Sequence, residues 1–292
     1  MHPTLNFLSQ IMYNLAYVDY EMIYQSIENL DHKIIPTSLL HKGHFIERAR
    51  INYGGEIFTR PDQVSYISDP EVLRDRVKFG RANVPEQGVF YGSIVSPEIE
   101  MPRAVAYFET SSRIEELKLP GQFEEIFTVS RWEILETVQL AEIIYADQYS
   151  GTSKYVQMSI QNQRAHVEEA IEQLKLREDV DYTEHFALQS KIICNEFAKT
   201  EIDSPDDYKI SAAYANYILN RTPAQGLTYP SVKSGYKGQN VVMLPNVVDK
   251  ILSLKEVYMC FCRRQHSENP LVAITHIVTN VGSGEPFTWA SA

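Results

Sequence analysis

Apolar residues recur at helical spacing from Thr4 to Leu30, at Leu5, Leu8, Met12, Leu15, Met22, Ile23, Ile27 and Leu30. A long helix is expected there, with Pro3 and Thr4 at its start. From His44 to Asn52 the pattern changes to that of a strand, which places Arg48 and Arg50 on one face. The stretch from Tyr53 to Pro70 is rich in turn formers, with Gly54-Gly55 and Arg60-Pro61. Ser68-Asp69-Pro70-Glu71 opens a short helix through a capping signal and a proline in the first turn, and Gly80 ends it. Val89 to Ile94 reads as a strand. Pro102 to about Leu117 reads as a helix that sets Ala104, Val105, Phe108 and Glu109 within two turns.

Phe123 to Ile134 alternates as a strand, and Val138 to Ile144 is the expected pairing partner. Residues from about Ser153 to Asn220 are helical throughout, with breaks at Asp179–Asp181 and Asp203–Asp207. Ile160, Val167, Ile171 and Leu174 line the first of these helices. Phe186, Ile193 and Phe197 line the second, and Ile210, Ala213, Tyr217 and Ile218 the third. Strands return at Leu227–Val232, Val241–Leu244, Val257–Cys262 and Leu271–Thr279. Strands, then a helical block, then strands define an α+β chain. No repeat or low-complexity linker divides it, so one domain is the simpler reading.

Composition narrows the classes. The 292 residues can bury a sizeable core, and 44% hydrophobic with 22% charged residues is globular rather than disordered. A formal net charge of −11 disfavours direct nucleic-acid binding, which needs clustered Lys and Arg. A small anion pocket built from a few arginines remains open. The three cysteines, Cys194, Cys260 and Cys262, do not form a disulfide framework. Cys260 and Cys262 share a strand face as half-buried thiols, and His41 and His44 read as surface residues. No apolar run approaches the roughly 20 residues of a membrane span, and there is no signal-peptide pattern. A cytoplasmic protein with no membrane partner is expected.

Candidate chemistry concentrates between Lys78 and Glu109. Arg81, Tyr91 and Glu109 are the residue types that work on a dinucleotide. An arginine fork holds a diphosphate. A tyrosine offers a flat face to a nicotinamide or adenine ring. A carboxylate binds ribose hydroxyls and stabilises an oxocarbenium-like centre. Around them stand Gly80-Arg81-Ala82-Asn83, then Val89-Phe90-Tyr91, then an Ala-containing helix ending in Glu109. Much later come Tyr229-Pro230-Ser231 and Gly238-Gln239-Asn240. An early arginine, a G-R-x-N segment, an apolar strand ending in Tyr, a helical A-x-x-E and a distant Y-x-S before a G-x-N strand follow one another in order. This order resembles the RES domain family, named for its arginine, glutamate and serine.

The resemblance implies an ADP-ribosyltransferase-like split β-core around an NAD cleft. Residues 41–292 would form the RES-like domain, with a helical insertion at about 153–220, behind an N-terminal helical extension at 1–40. It implies a toxin of a toxin–antitoxin system that consumes NAD⁺ by cleaving the nicotinamide–ribose bond. The outcome would be hydrolysis, phosphorolysis or ADP-ribosyl transfer. A non-catalytic NAD-binding module is the alternative. NAD⁺ would be the substrate and no metal is required. Arg81 would hold the diphosphate or ribose side, Tyr91 would stack on nicotinamide, and Glu109 would face the anomeric carbon. Ser231 would anchor the substrate deeper in the cleft, with Tyr229 and Asn240 as lining residues. Arg48 best fits the early arginine, and Arg50 shares its strand face. The Tyr91–Glu109 interval is longer than is usual in the family. Ser96–Pro102 reads as an inserted loop whose Glu98 and Glu100 are alternatives to Glu109. A helix-turn-helix antitoxin is the implied partner, and a homodimer is possible.

Overall fold

The helical spacing near the N-terminus produces two helices instead of one. In this computed structural model, which describes residues 3–30, 33–265 and 269–292, α1 (Pro3–Ile11) and α2 (Tyr20–Glu28) flank a 3-10 turn at Leu15–Tyr17. Positions 1, 2, 31 and 32 of the 1–40 extension thus lie outside the described residues. Asp19 causes the break: its side chain accepts the Glu21 N–H and starts a new helix. β1 (Thr37–Leu40) and β2 (Phe45–Ile51) follow, then α3 (Pro70–Arg76), β3 (Phe90–Ile94) and α4 (Pro102–Thr110). α4 stops at Thr110, and a 3-10 turn at Ile114–Lys118 continues the pattern.

β4 (Phe123–Ile134) has the expected bounds, and β5 (Val138–Glu142) comes next. β5 does not pair with β4. Both edges of β4 are taken along its length by β2 and by a later strand, so β5 crosses to the far side of the sheet. There it pairs with β1. The helical block comprises α5 (Lys154–Glu178), α6 (Thr183–Ala198) and α7 (Lys209–Arg221). It is followed by β6 (Gly226–Pro230), β7 (Gln239–Met243), α8 (Pro245–Ile251), β8 (Leu252–Arg264), β9 (Leu271–Val278) and β10 (Trp289–Ser291). β1 and β10 are too short to show alternation in sequence. Among the described residues no helix is long and apolar enough to cross a membrane.

Among the described residues the ten strands form one open mixed sheet in the order β1-β5-β6-β7-β3-β2-β4-β8-β9-β10. β5 and β6 run parallel and the other neighbours antiparallel. The middle of the sheet is nearly open. β2 and β3 share a single register pair, Glu47 with Ser93, whereas β2 matches β4 from Phe45↔Glu133 to Ile51↔Phe127. Gly92 permits the one close approach, since a Cβ there would come within 2.4 Å of Ile46 and 3.2 Å of the Glu47 carbonyl.

α4 spans this junction. Its Arg103 N–H donates to Glu47 Oε2 at 2.7 Å, and Thr110 Oγ1 donates to the Ala49 carbonyl at 3.3 Å. On one side α1, α2, α6 and α7 bury Ile143, Leu227, Tyr229 and Val242 in the largest core cluster. Residues 3–30 are therefore part of the main core. Lys209 fixes them by donating to the Leu15 and Val18 carbonyls at 3.0 Å each. Under α4, Ala49, Phe127, Tyr258, Cys260 and Cys262 form a second cluster. On the opposite face α8 covers Phe90, Trp132, Ile134 and Met243. α5 departs from expectation. Only Tyr155, Val156 and Ile160 are buried, while Val167, Ile171 and Leu174 are half-buried.

Candidate functional site

The junction between β2 and β3 collects most of the residues singled out in the sequence. Glu109 lies at the C-terminal end of α4. Its Oε1 accepts Ser231 Oγ at 2.6 Å and Asn240 Nδ2 at 3.1 Å. Among the described residues no donor reaches its Oε2. Ser231 is fully buried at the end of β6 and Asn240 is buried on β7. Both donors are themselves held. Ser231 Oγ accepts the Ser234 N–H at 3.2 Å, and Asn240 Oδ1 accepts Ser93 Oγ at 3.1 Å. Gly238 makes the assembly possible, because a Cβ there would come within 2.4 Å of Val105 on α4. The helix can thus lie on the β6–β7 loop and bring Glu109 over Ser231.

Arg48 enters the same junction from β2. Its Nη1 donates to the Tyr91 carbonyl at 2.8 Å, where β3 has parted from β2. Its Nε is buried without a hydrogen-bond partner. Burial lowers its pKa to about 10, and the Arg50 charge acts in the same direction. The Arg48 guanidinium lies 5.6 Å from the Phe90 ring centre. Arg50 turns away: it donates to the Gln63 carbonyl and sits 5.1 Å over Phe58. The structure therefore separates two arginines that the strand pattern leaves equivalent.

The Tyr91 hydroxyl donates to Asn83 Oδ1 and accepts the Ala82 N–H, each at 2.9 Å. Burial raises its pKa, opposed by the Ala82 N–H and the charges of Arg81 and Arg48. Asn83, the last residue of the G-R-x-N segment, is the group that orients this tyrosine. Arg81 is committed to the end of α6. Its Nη1 donates to the Phe197 carbonyl at 2.6 Å and the Glu196 carbonyl at 3.3 Å, and its Nη2 to the Lys199 carbonyl at 3.0 Å. The guanidinium thus satisfies carbonyls that a helix C-terminus leaves unpaired.

Three residues that the sequence does not mark as site residues complete the surroundings, although Phe197 is expected as a core position of its helix. Tyr145 donates to the Phe197 and Pro230 carbonyls at 3.3 and 3.2 Å. Tyr236 has a left-handed backbone at φ 65°, uncommon for an aromatic residue. That conformation sets its ring 5.5 Å from Tyr145. Phe197 packs 5.3 Å from Tyr229. Burial pushes the phenols of Tyr145 and Tyr229 well up, and both feel the Arg81 and Glu109 charges. No short motif marks these residues, because the helical block brings them in by tertiary packing.

The remaining candidates lie elsewhere. Glu98 accepts the Tyr155 N–H at 2.8 Å at the start of α5. Glu100 borders a separate cavity of about 620 Å³ that also contains Glu47, Arg103 and Arg131. His41 and His44 are exposed, with rings edge to face at 5.7 Å. Cys260 and Cys262 are buried free thiols. Among the described residues no group of three or more His, Cys, Asp or Glu is placed to hold a metal ion.

Comparison with known protein families finds no family model that matches this chain, and comparison with curated proteins likewise finds no match.

Proposed function

We propose that this chain is a RES-type, ADP-ribosyltransferase-like enzyme that consumes NAD⁺ by cleaving its nicotinamide–ribose bond. The observation that carries the reading is the Glu109 carboxylate. One of its oxygens is fixed by Ser231 and Asn240, and the other is without a donor among the described residues. A carboxylate held in this way is oriented before the reaction, and its charge faces whatever cation develops beside it. On this reading the weakly joined β2–β3 junction is the NAD cleft of a split β-core. The bond breaks with its electron pair passing to the nicotinamide nitrogen, and Glu109 Oε2 stabilises the positive charge left at the anomeric carbon. The buried, unpaired Nε of Arg48 suits an anionic diphosphate. Tyr91 borders the nicotinamide. Arg81 reaches the substrate by exchanging α6 carbonyls for phosphate oxygens. A cytoplasmic toxin held inactive by a helix-turn-helix antitoxin is the setting the family resemblance suggests.

The test is nicotinamide release from NAD⁺, with and without phosphate, beside Glu109→Gln. The amide oxygen of glutamine still accepts from Ser231 and Asn240, so the fold is expected to persist. Loss of the carboxylate charge is expected to lower the rate by about 10² or more. An unchanged rate rejects the assignment, and dependence on phosphate identifies the acceptor. A second reading, NAD binding without cleavage, draws on the closure of the site: Ser231 is fully buried and Arg81 is bonded to α6. It predicts NAD⁺ binding by calorimetry with no nicotinamide released.

A further inference from the structure

Away from the junction, a cavity of about 450 Å³ opens between α5, α6 and the end of β5. Its walls are largely apolar, with Ile143, Ile160, Val167, Ile171, Phe186 and Ile193 among them. Two buried polar side chains also line it. Glu142 is 8% exposed and Gln189 is 4% exposed. Gln163 Nε2 donates to Glu142 Oε2 at 3.1 Å. Gln189 Oε1 is buried without a hydrogen-bond partner, an arrangement that is costly in a folded protein. Two other buried polar groups nearby are committed. The Cys194 thiol donates to the Ile144 carbonyl at 2.6 Å, and the Tyr145 hydroxyl donates to main-chain carbonyls. The buried polar chemistry left for a visitor is therefore the Glu142 carboxyl, the Gln189 amide with its orphaned oxygen and the Tyr214 hydroxyl.

We propose that this cavity binds a compact apolar molecule bearing an amine. The hydrocarbon body would lie between α5 and α6, and the ammonium would be directed to Glu142 and Gln189. The volume falls in the range of small-ligand sites, which pair apolar walls with a few placed polar groups. An ammonium carries three donors and a positive charge, which suits a carboxylate and an orphaned amide oxygen. A ligand carboxylate or phosphate directed to Glu142 meets a like charge and is disfavoured there, and the cavity's basic groups, Arg164 and Lys191, are exposed side chains, with Arg164 paired to Asp147 at 2.8 Å. Burial raises the pKa of Glu142, against the pull of its Ser159 and Gln163 hydrogen bonds, so a bound cation restores the charge that burial opposes. This inference does not depend on the reading of the Glu109 site.

Calorimetry on the whole chain tests it with three probes of one shape: 4-phenylbutylamine, 4-phenylbutanol and 4-phenylbutanoate. The amine is expected to bind at least about tenfold tighter than the carboxylate. Glu142→Gln is expected to weaken the amine by a similar factor. Val167→Trp fills the cavity from a half-buried position on α5 and is expected to abolish binding, with the circular dichroism spectrum and Tm of the variant serving as the folding control. Absence of amine binding at millimolar concentration, equal binding of amine and carboxylate, or an affinity unmoved by both substitutions overturns the proposal.

Discussion

From β1 to β3 the sheet lies beneath α1, α2, α6 and α7, and Leu227, Tyr229 and Val242 are buried there. From β2 to β10 it runs out past α4 to a margin where Val272, Ile274 and Ile277 are 48%, 40% and 41% exposed. The two halves share a single strand register pair, and α4, the Arg48–Tyr91 hydrogen bond and the Phe90, Trp132, Ile134 and Met243 cluster beneath α8 join them further. This asymmetry explains how the candidate site is held. Ser231, Asn240 and Tyr91 come from the covered half, where packing fixes them. Glu109 sits on the helix that spans the junction, and Arg48 alone comes from the other half. Because α4 is hydrogen-bonded to β2, a shift between halves would move Glu109 relative to Ser231 and Asn240 as well as Arg48 relative to Tyr91.

The largest expected effect tests the difference in packing directly. Phe197→Ala removes a fully buried ring from the covered half and is expected to cost about 3–5 kcal/mol. Ile277→Ala on the outer margin is expected to cost less than about 1 kcal/mol, since most of that side chain's neighbours are already missing. Urea unfolding measures both. Equal losses would mean that the outer half is as tightly built as the inner.

A smaller effect is expected from the two arginines of the site. Arg81→Met strips the Phe197 and Lys199 carbonyls of their side-chain donor and is expected to cost about 1–3 kcal/mol. Hydrogen exchange should quicken at the last turn of α6. Arg48→Met leaves the Tyr91 carbonyl unpaired and should instead quicken exchange in β3. If exchange in β3 is unchanged in Arg48→Met, the Arg48–Tyr91 hydrogen bond does not help to hold β3 against β2.

The sequence was most legible where one periodic signal ran long. β2 and β4 and the breaks inside the helical block follow from such runs, because a strand or helix of that length must bury a continuous face. The first helix misled, since the apolar spacing continues through Leu15 while Asp19 restarts the backbone. β5 misled for a topological reason that no local pattern carries: the edges of β4 were already occupied. The site divides in the same way. Glu109, Ser231 and Asn240 were named from ordered motifs, although 122 and 131 residues separate Glu109 from its two partners. Tyr145, Tyr236 and the α6 carbonyls were not, because they arrive through docking of the helical block. Arg48 and Arg50 share a strand face in any alternation argument. They diverge because β3 parts from β2 beside Arg48, while Phe58 and the Gln63 carbonyl receive Arg50.

The smallest effect concerns the price of burying acids in the covered half. Burial raises the pKa of Glu142, with Ser159 and Gln163 opposing it, and also raises that of Glu196. For Glu142 the folded value therefore lies above the unfolded one, and the unfolded one is about 4.3. Below both values the two states hold the proton and the contribution to stability is complete. As pH rises through the unfolded value, the unfolded chain releases its proton while the native chain keeps it, so stability falls. The fall ends once pH passes the folded value. Glu142→Gln has no such proton to lose, and Gln163 can still donate to its amide oxygen. The Tm of the variant relative to wild type is thus expected to climb between about pH 4 and neutrality. Glu196 contributes equally to both proteins and cancels in the difference. A Tm difference that stays flat with pH would show that Glu142 remains ionised and solvated, and that the covered half is more open at β5 than its packing indicates.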